Sequence, residues 1–373
     1  MNTAALLLTV VAFSTNIALI IGADLLLIQS LWRHGDRVPV GTYPTDPHQE
    51  DAWPVPWGEL TTKGMWELYR QGAKLKEEYI EKTKFISANY SVHEIYVRST
   101  DTPRTLVSAY SNLAGFYSDS RGTLPGEARW PMRWTPNISV TKIVDVLASP
   151  HLSANAGTRS RTAQDLFDLI ESNAKTNVSH PFEMYDFAYT LAIERLHGLK
   201  PPEWVTDDVF NRSLRVANDE WDFLFGASMF GKEENVELVS FGCGVIKEMI
   251  ENMETKINGS DGGKHKYKYY AYSGHDTTIG SVLTIMGAKE AILGHTSAAY
   301  GATLVLELWR METDVFAVRL RYSKNAETPF ETITDKIEGC PPDEYCPFEV
   351  FVANRRKYIL KDIRTSCEAE SEV

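Results

Sequence analysis

Apolar residues along this chain follow three rhythms, and each predicts a different element. Segments 25–31, 95–97 and 267–272 are short apolar runs of strand type that lead directly into charged or polar clusters. Segments 302–309 and 315–322 alternate apolar and polar positions on either side of Met311-Glu312-Thr313-Asp314, the pattern of a hairpin. In 61–79, 104–116, 164–173, 245–256 and 277–286, apolar residues return every third and fourth place, which predicts helices. Thr61 is placed to cap the first of these helices, and Gly287 to stop the last.

Strands that alternate with helices predict an α/β fold: a mixed, largely parallel sheet flanked by helices and joined by crossovers. Between about 120 and 235 the strand rhythm fades. Trp, Pro, Asn and helical spacing take over, as in Trp130-Pro131-Met132-Arg133-Trp134. The expected organisation is an α/β core built from 24–120 and 236–373, with 121–235 inserted as a smaller, mainly helical cap. A chain of 373 residues can bury a sizeable core of this kind.

Residues 1–23 form an uncharged apolar run that ends in Ile21-Gly22-Ala23, so they read as a signal peptide with cleavage after small residues. The run lacks an initial Lys or Arg, and the alternative reading is an uncleaved anchor. No second apolar stretch is long enough to span a bilayer. Sequons at Asn89, Asn137, Asn177, Asn211 and Asn258 agree with passage through a secretory lumen and mark exposed segments. The destination is then secreted or lysosome-like.

The four cysteines allow three pairings. Cys340 and Cys346 bracket the tight loop PPDEY and are expected to bond to each other, which leaves Cys243 and Cys367. No Cys/His spacing suggests a metal site, and none is expected.

A formal charge of -12 should repel nucleic acid and anionic lipid. Arginines clustered in one motif of so acidic a chain therefore indicate a local anion site. Three predicted strands end in such residues: Arg33-His34-Gly35-Asp36-Arg37, Arg98-Ser99-Thr100-Asp101-Thr102-Pro103-Arg104, and His275-Asp276. Open α/β sheets bind ligands at the carboxyl ends of their strands. If these strands are neighbours, Arg33, Arg37 and Arg104 meet two histidines and an aspartate, with Arg104 in the first turn of a helix, where free N–H groups also favour an anion.

These residue types suit hydrolysis of a phosphate monoester without metal or cofactor. Guanidinium forks neutralise the oxygens of a transferring phosphoryl group. His34 can attack phosphorus and carry the group. Asp276 can protonate the leaving alcohol and later activate water, and His275 can donate to a phosphate oxygen. A carboxyl among cations tends to ionise, with a reference pKa of about 3.9. Its acid form is then plentiful only at low pH, so activity should favour acid. The plainer readings are a satisfied core histidine at 34, arginines spent on Asp36 or Asp101, and helix capping by Asp276. Arg98 is expected to support the loop, and the tryptophans at 53, 57, 130, 134, 204 and 221 are better explained by packing than by a substrate rim.

Together the motifs identify a resemblance. Arg33-His34-Gly35-Asp36-Arg37-Val38-Pro39 fits the RHGxRxP signature of the histidine acid phosphatases, the group that contains prostatic and lysosomal acid phosphatases and phytases. Arg98–Arg104 fits their second arginine motif and His275-Asp276 their HD pair, and the resemblance covers essentially the whole mature chain. It implies an α/β core with a helical cap, no metal, phosphate monoesters as substrates, and often a homodimer. The Cys340–Cys346 loop is similar to a small disulfide loop of the animal enzymes. The family's long-range bond usually reaches the cap, which here has no cysteine, so Cys243–Cys367 substitutes for it or both thiols are free. Two rivals stand beside this reading. A phytase-like member would want a basic rim that an acidic chain does not favour. A secreted non-catalytic phosphate-ligand binder or antigen would be expected to lack His34 or Asp276.

Overall fold

Strand β1 (Asp24–Arg33) runs through the middle of a mixed sheet in the computed structural model, which describes residues 22–120, 138–141, 164–178, 181–224, 244–259, 267–312 and 314–359. The other strands are β2 (Ile95–Thr100), β3 (Ile138–Thr141), β4 (Tyr269–Gly274), β5 (Thr303–Arg310), β6 (Phe316–Ser323), β7 (Glu331–Thr332) and β8 (Cys346–Pro347). Their order is β3-β2-β4-β1-β5-β6-β7, with β8 paired to β6. The first four are mutually parallel, and β5 and β6 add the expected antiparallel hairpin.

Both faces of β1 are covered, and its side chains divide between them with period two. Leu27 and Leu31 enter a core with Met249 and Met253 of α6 (Gly244–Asn258) and Val282 of α7 (Asp276–Ile285). Ile28 and Trp32 enter a second core with Leu68 and Leu75 of α1 (Thr62–Lys76) and Leu113 of α2 (Pro103–Phe116). Such double burial is why the strand reads as a continuous apolar run. The buried Gln29 is tolerated because its amide donates to the Met249 carbonyl at 2.9 Å and accepts from Asn252 at 3.0 Å.

Thr61 caps α1 as expected, accepting from Gly64 N at 3.1 Å. Gly287 follows α7 with φ +65°, which lets the chain leave the helix. Three further helices, α3 (Gln164–Ala174), α4 (Pro181–Leu196) and α5 (Asp207–Leu224), share a separate apolar cluster that includes Phe167, Leu191 and Val209. Tyr43, from the segment that follows the first motif, also enters that cluster. Cys340 and Cys346 form the expected disulfide. Asn89, Asn177, Asn211 and Asn258 are exposed. Residues 1–21, Asn137, Trp130, Trp134, Cys243 and Cys367 lie outside the described residues. Among the described residues, no helix is long and apolar enough to cross a membrane.

Candidate active site

Strand β4 lies between β1 and β2, so the three motif-bearing strand ends are adjacent. Register makes the meeting close: Arg33 stands opposite Gly274, and Ser99 opposite Ser273. Beyond the strand end His34 N donates to the Gly274 carbonyl at 3.0 Å, and Gly301 N donates to the His34 carbonyl at 3.2 Å. Gly35 is required where the chain turns. A Cβ there would lie 2.2 Å from the carbonyl oxygen of Gly64 in the first turn of α1, and a Cβ on Gly64 would meet Asp36 equally closely.

His34 is buried, with its ring 5.6 Å from that of His275 and 5.7 Å from that of Tyr300. Its Nδ1 lies 2.9 Å from the Gly35 carbonyl. A carbonyl only accepts, so Nδ1 carries the hydrogen and Nε2 holds the free lone pair. Burial, then Arg33, Arg37, His275 and Arg104, hold the His34 pKa well below the usual imidazole value. The ring therefore stays neutral into acid, as a nitrogen nucleophile requires.

Arg33 is buried, donates to the Ala298 carbonyl, pairs with Asp276 Oδ2 at 3.0 Å, and lies 4.2 Å over the Tyr300 ring. Arg37 donates to the Val38 carbonyl at 2.8 Å. Burial, then the charge of Arg37, lowers Arg104 to about 10, so it remains a cation at any acidic or neutral pH. The Nε–H groups of Arg33, Arg37 and Arg104 are buried and have no hydrogen-bond partner among the described residues. Three unspent guanidinium donors in one neighbourhood are what an oxyanion needs.

The arginines are not spent on Asp36. That carboxylate accepts from Thr61 Oγ1 at 2.6 Å and meets His197 Nε2 at 3.1 Å. His275 caps α7, its backbone N–H donates to Thr278 Oγ1 at 3.3 Å, and its Nε2 lies 2.9 Å from Thr100 Oγ1. Burial, then Arg104, lowers its pKa to about 4. Burial pushes the Asp276 carboxyl up, but Arg33, the Tyr185 hydroxyl, His275 and Arg37 outweigh it and hold the group below its ordinary value. Helix capping and site membership coincide at His275-Asp276, since Asp276 Oδ1 also accepts from Thr277 N at 2.9 Å.

The six candidate residues thus come together, and Arg98 does not join them. It lies within β2, which is longer than its apolar run predicts, and pairs with Glu248 on α6. That pair ties the strand to the helix. Tyr185, Tyr300 and His197 carry no motif and escape sequence reading. Trp53 packs with Val38 and Ile193, and Trp204 stacks on Phe187, so both serve packing.

A family model described as Histidine phosphatase superfamily (branch 2) matches residues 24–183 and 222–323. The chain belongs to that superfamily. It is accordingly a phosphatase, and the three sequence motifs lie inside the matched regions. The lysosomal acid phosphatase of Xenopus laevis is 29% identical over 98% of this chain and 83% of its own. Human prostatic acid phosphatase is 27% identical over 93% of this chain and 89% of its own. Among solved structures, the apo phytase of Hafnia alvei has a TM-score of 0.61 and 16% identity, covering 93% of this histidine phosphatase and 98% of that chain. This last likeness bears on the fold alone.

Proposed function

We propose that this histidine phosphatase is an acid phosphomonoesterase that works through a phosphohistidine. The observation that carries the reading is the neutral, buried His34 held among Arg33, Arg37, Arg104 and His275. His34 Nε2 attacks phosphorus as the ester oxygen leaves. Arg33, Arg37 and Arg104, with His275, hold the phosphoryl oxygens as charge redistributes. Asp276 gives its proton to the departing alcohol, then takes one from the water that attacks the phosphohistidine and releases phosphate. Both nitrogen and carboxyl are tuned to acid: His34 remains unprotonated there, and Asp276 acquires its proton there.

The relatives' names, lysosomal and prostatic acid phosphatase, support an acid pH optimum and a secreted or lysosome-type destination. The apolar leader and the exposed sequon asparagines agree with that route. The reading includes a core built from 24–120 and 236–373 and a mainly helical cap within 121–235, except that Ile138–Thr141 of that segment belongs to the core sheet, paired with β2.

The test is hydrolysis of nitrophenyl phosphate from pH 3 to 9, with and without chelator, by the wild type and by His34→Ala. An acid optimum that resists chelator and vanishes in the variant is expected. Turnover that survives loss of His34 would overturn the nucleophile assignment. Absence of turnover in the wild type would favour a protein that keeps the fold for binding.

A further inference from the structure

Asp276 has a partner outside the three sequence motifs. Tyr185, on α4, donates from its hydroxyl to Asp276 Oδ2 at 2.8 Å. Arg33 Nη2 approaches the same oxygen at 3.0 Å. A carboxylate oxygen offers two lone-pair sites, so these two donors fill Oδ2. Among the described residues, Oδ1 accepts only the Thr277 N–H, at 2.9 Å, and retains a free site. The asymmetry follows from where the donors stand, and it decides which oxygen can carry a proton.

The Tyr185 ring is held in place on both faces. It stacks on Tyr189 at 4.1 Å and 22°, and on Trp221 at 4.4 Å and 27°. Phe182 meets Trp221 edge-on at 5.1 Å, and the Tyr189 hydroxyl donates to Asn218 Oδ1 at 3.0 Å. Two helices of one cluster, α4 and α5, thus fix one hydroxyl against one carboxylate of α7. Burial and the neighbouring Asp276 charge keep the Tyr185 phenol protonated well above its usual range, so it is always a donor.

We propose that Tyr185 is a positioning residue for the proton donor: it occupies Asp276 Oδ2 and leaves Oδ1 as the oxygen that bears and delivers the proton. When a phosphoryl group draws the Arg33 guanidinium toward its own oxygens, Tyr185 is the donor that remains on Oδ2. In the step itself the Oδ1–H bond breaks, the proton passes to the ester oxygen, and that oxygen takes the electron pair of the breaking P–O bond. The carboxylate left behind is held by the Tyr185 hydroxyl and the Thr277 N–H. The proposal rests on the reading of Asp276 as general acid.

Tyr185→Phe keeps the stacked ring and removes only the hydroxyl, and Tyr43→Phe, which removes another buried hydroxyl of the same apolar cluster, serves as the control. Each is assayed with an alkyl phosphate, whose leaving group needs the proton, and with nitrophenyl phosphate, whose leaving group does not. Tyr185→Phe should lower kcat on the alkyl ester about 10-fold and on the nitrophenyl ester under about 3-fold. The hydroxyl favours ionised Asp276, so its loss should also move the alkaline limb of the alkyl-ester profile to higher pH. Fluorotyrosine placed at 185, a stronger donor on the same ring, should move that limb to lower pH. Tyr43→Phe should leave both the substrate ratio and the limb in place. Equal losses on both esters with an unmoved limb would overturn the proposal while Asp276→Asn still discriminated between them. Equal losses on both esters in Asp276→Asn would remove the general acid itself, and the proposal with it.

Discussion

His197 Nε2 lies 3.1 Å from the carboxylate of Asp36, across 161 residues of chain. Asp36 is the centre of the turn that places Arg33, His34 and Arg37, and it is buried. The last turn of α4 passes into His197, so the helix that holds Asp276 through Tyr185 also leads to the residue that grips the first motif. The two contacts stand twelve residues apart, about 18 Å along a helix. In the proposed mechanism, the groups for attack and for proton delivery are thus both referred to the same helix.

His197→Ala should therefore loosen the motif turn. The hydrogen bond to a buried carboxylate suggests a cost of about 1–3 kcal/mol in stability. Because the turn carries His34, kcat should fall about 10-fold with KM little changed. His197→Gln, which can still donate, should restore most of both. A variant as stable and active as the wild type would show that Thr61 and Lys63 suffice to hold Asp36.

The cations around His34 set its acid limit. Burial lowers the imidazole pKa first, and Arg33 and Arg37 are the largest charges that add to the effect. Arg37→Gln removes one of them, so the His34 pKa must rise, and the protonated, non-nucleophilic ring must appear at a higher pH. The acid limb of kcat/KM should move upward, alongside a general loss of about 10²-fold from the missing phosphate ligand. A profile that shrinks without moving would mean that another group sets the limb.

Gly35 and Gly64 meet backbone to backbone. A Cβ on Gly35 would stand 2.2 Å from Gly64 O, and neither the β1 turn nor the start of α1 has a flexible side chain to give way. Gly35→Ala should shift His34 by enough to cost about 10² in kcat or more, with circular dichroism near wild type. Measured activity within a few-fold of wild type would show that the turn can retreat.

Much of this was legible in the chain because the decisive residues sit at strand ends. The apolar run of β1 stops at Arg33, and the pattern alone showed where three charged clusters must lie relative to a sheet. Strand order was not legible. Only the pairing of β4 with both β1 and β2 turns three separate motifs into one site. The length of β2 was not legible for a related reason: the polar residues 98–100 continue the strand because neighbouring strands pair with them, which no local signal records. Tyr185 and Tyr300 were invisible because a tyrosine on a helix or loop has no spacing that distinguishes a hydrogen-bond donor to Asp276 from a core aromatic.

Glu194 provides the sharpest pH prediction outside the site. It is fully buried on α4, and neither carboxyl oxygen receives a hydrogen bond from a donor group among the described residues. Its neighbour Asp46, by contrast, accepts from the Thr42 hydroxyl and from the His48 N–H at 2.9 Å. Burial, then a hydrogen bond shared with Asp46, then the Asp46 charge, push the Glu194 carboxyl from 4.5 up to about 9. Between those values the folded protein binds a proton that the unfolded chain does not. The contribution of this group to stability must then fall as pH rises through that window, being fully present below about 4.5 and lost by about 9. Glu194→Gln keeps the shape and donates to Asp46 without needing a proton. The wild type should lose Tm between pH 5 and 8, and the variant should lose less, by on the order of 3 °C. Parallel Tm curves for the two proteins would show that Glu194 is ionised in the fold, and that the segment carrying Asp46 has moved away to admit water.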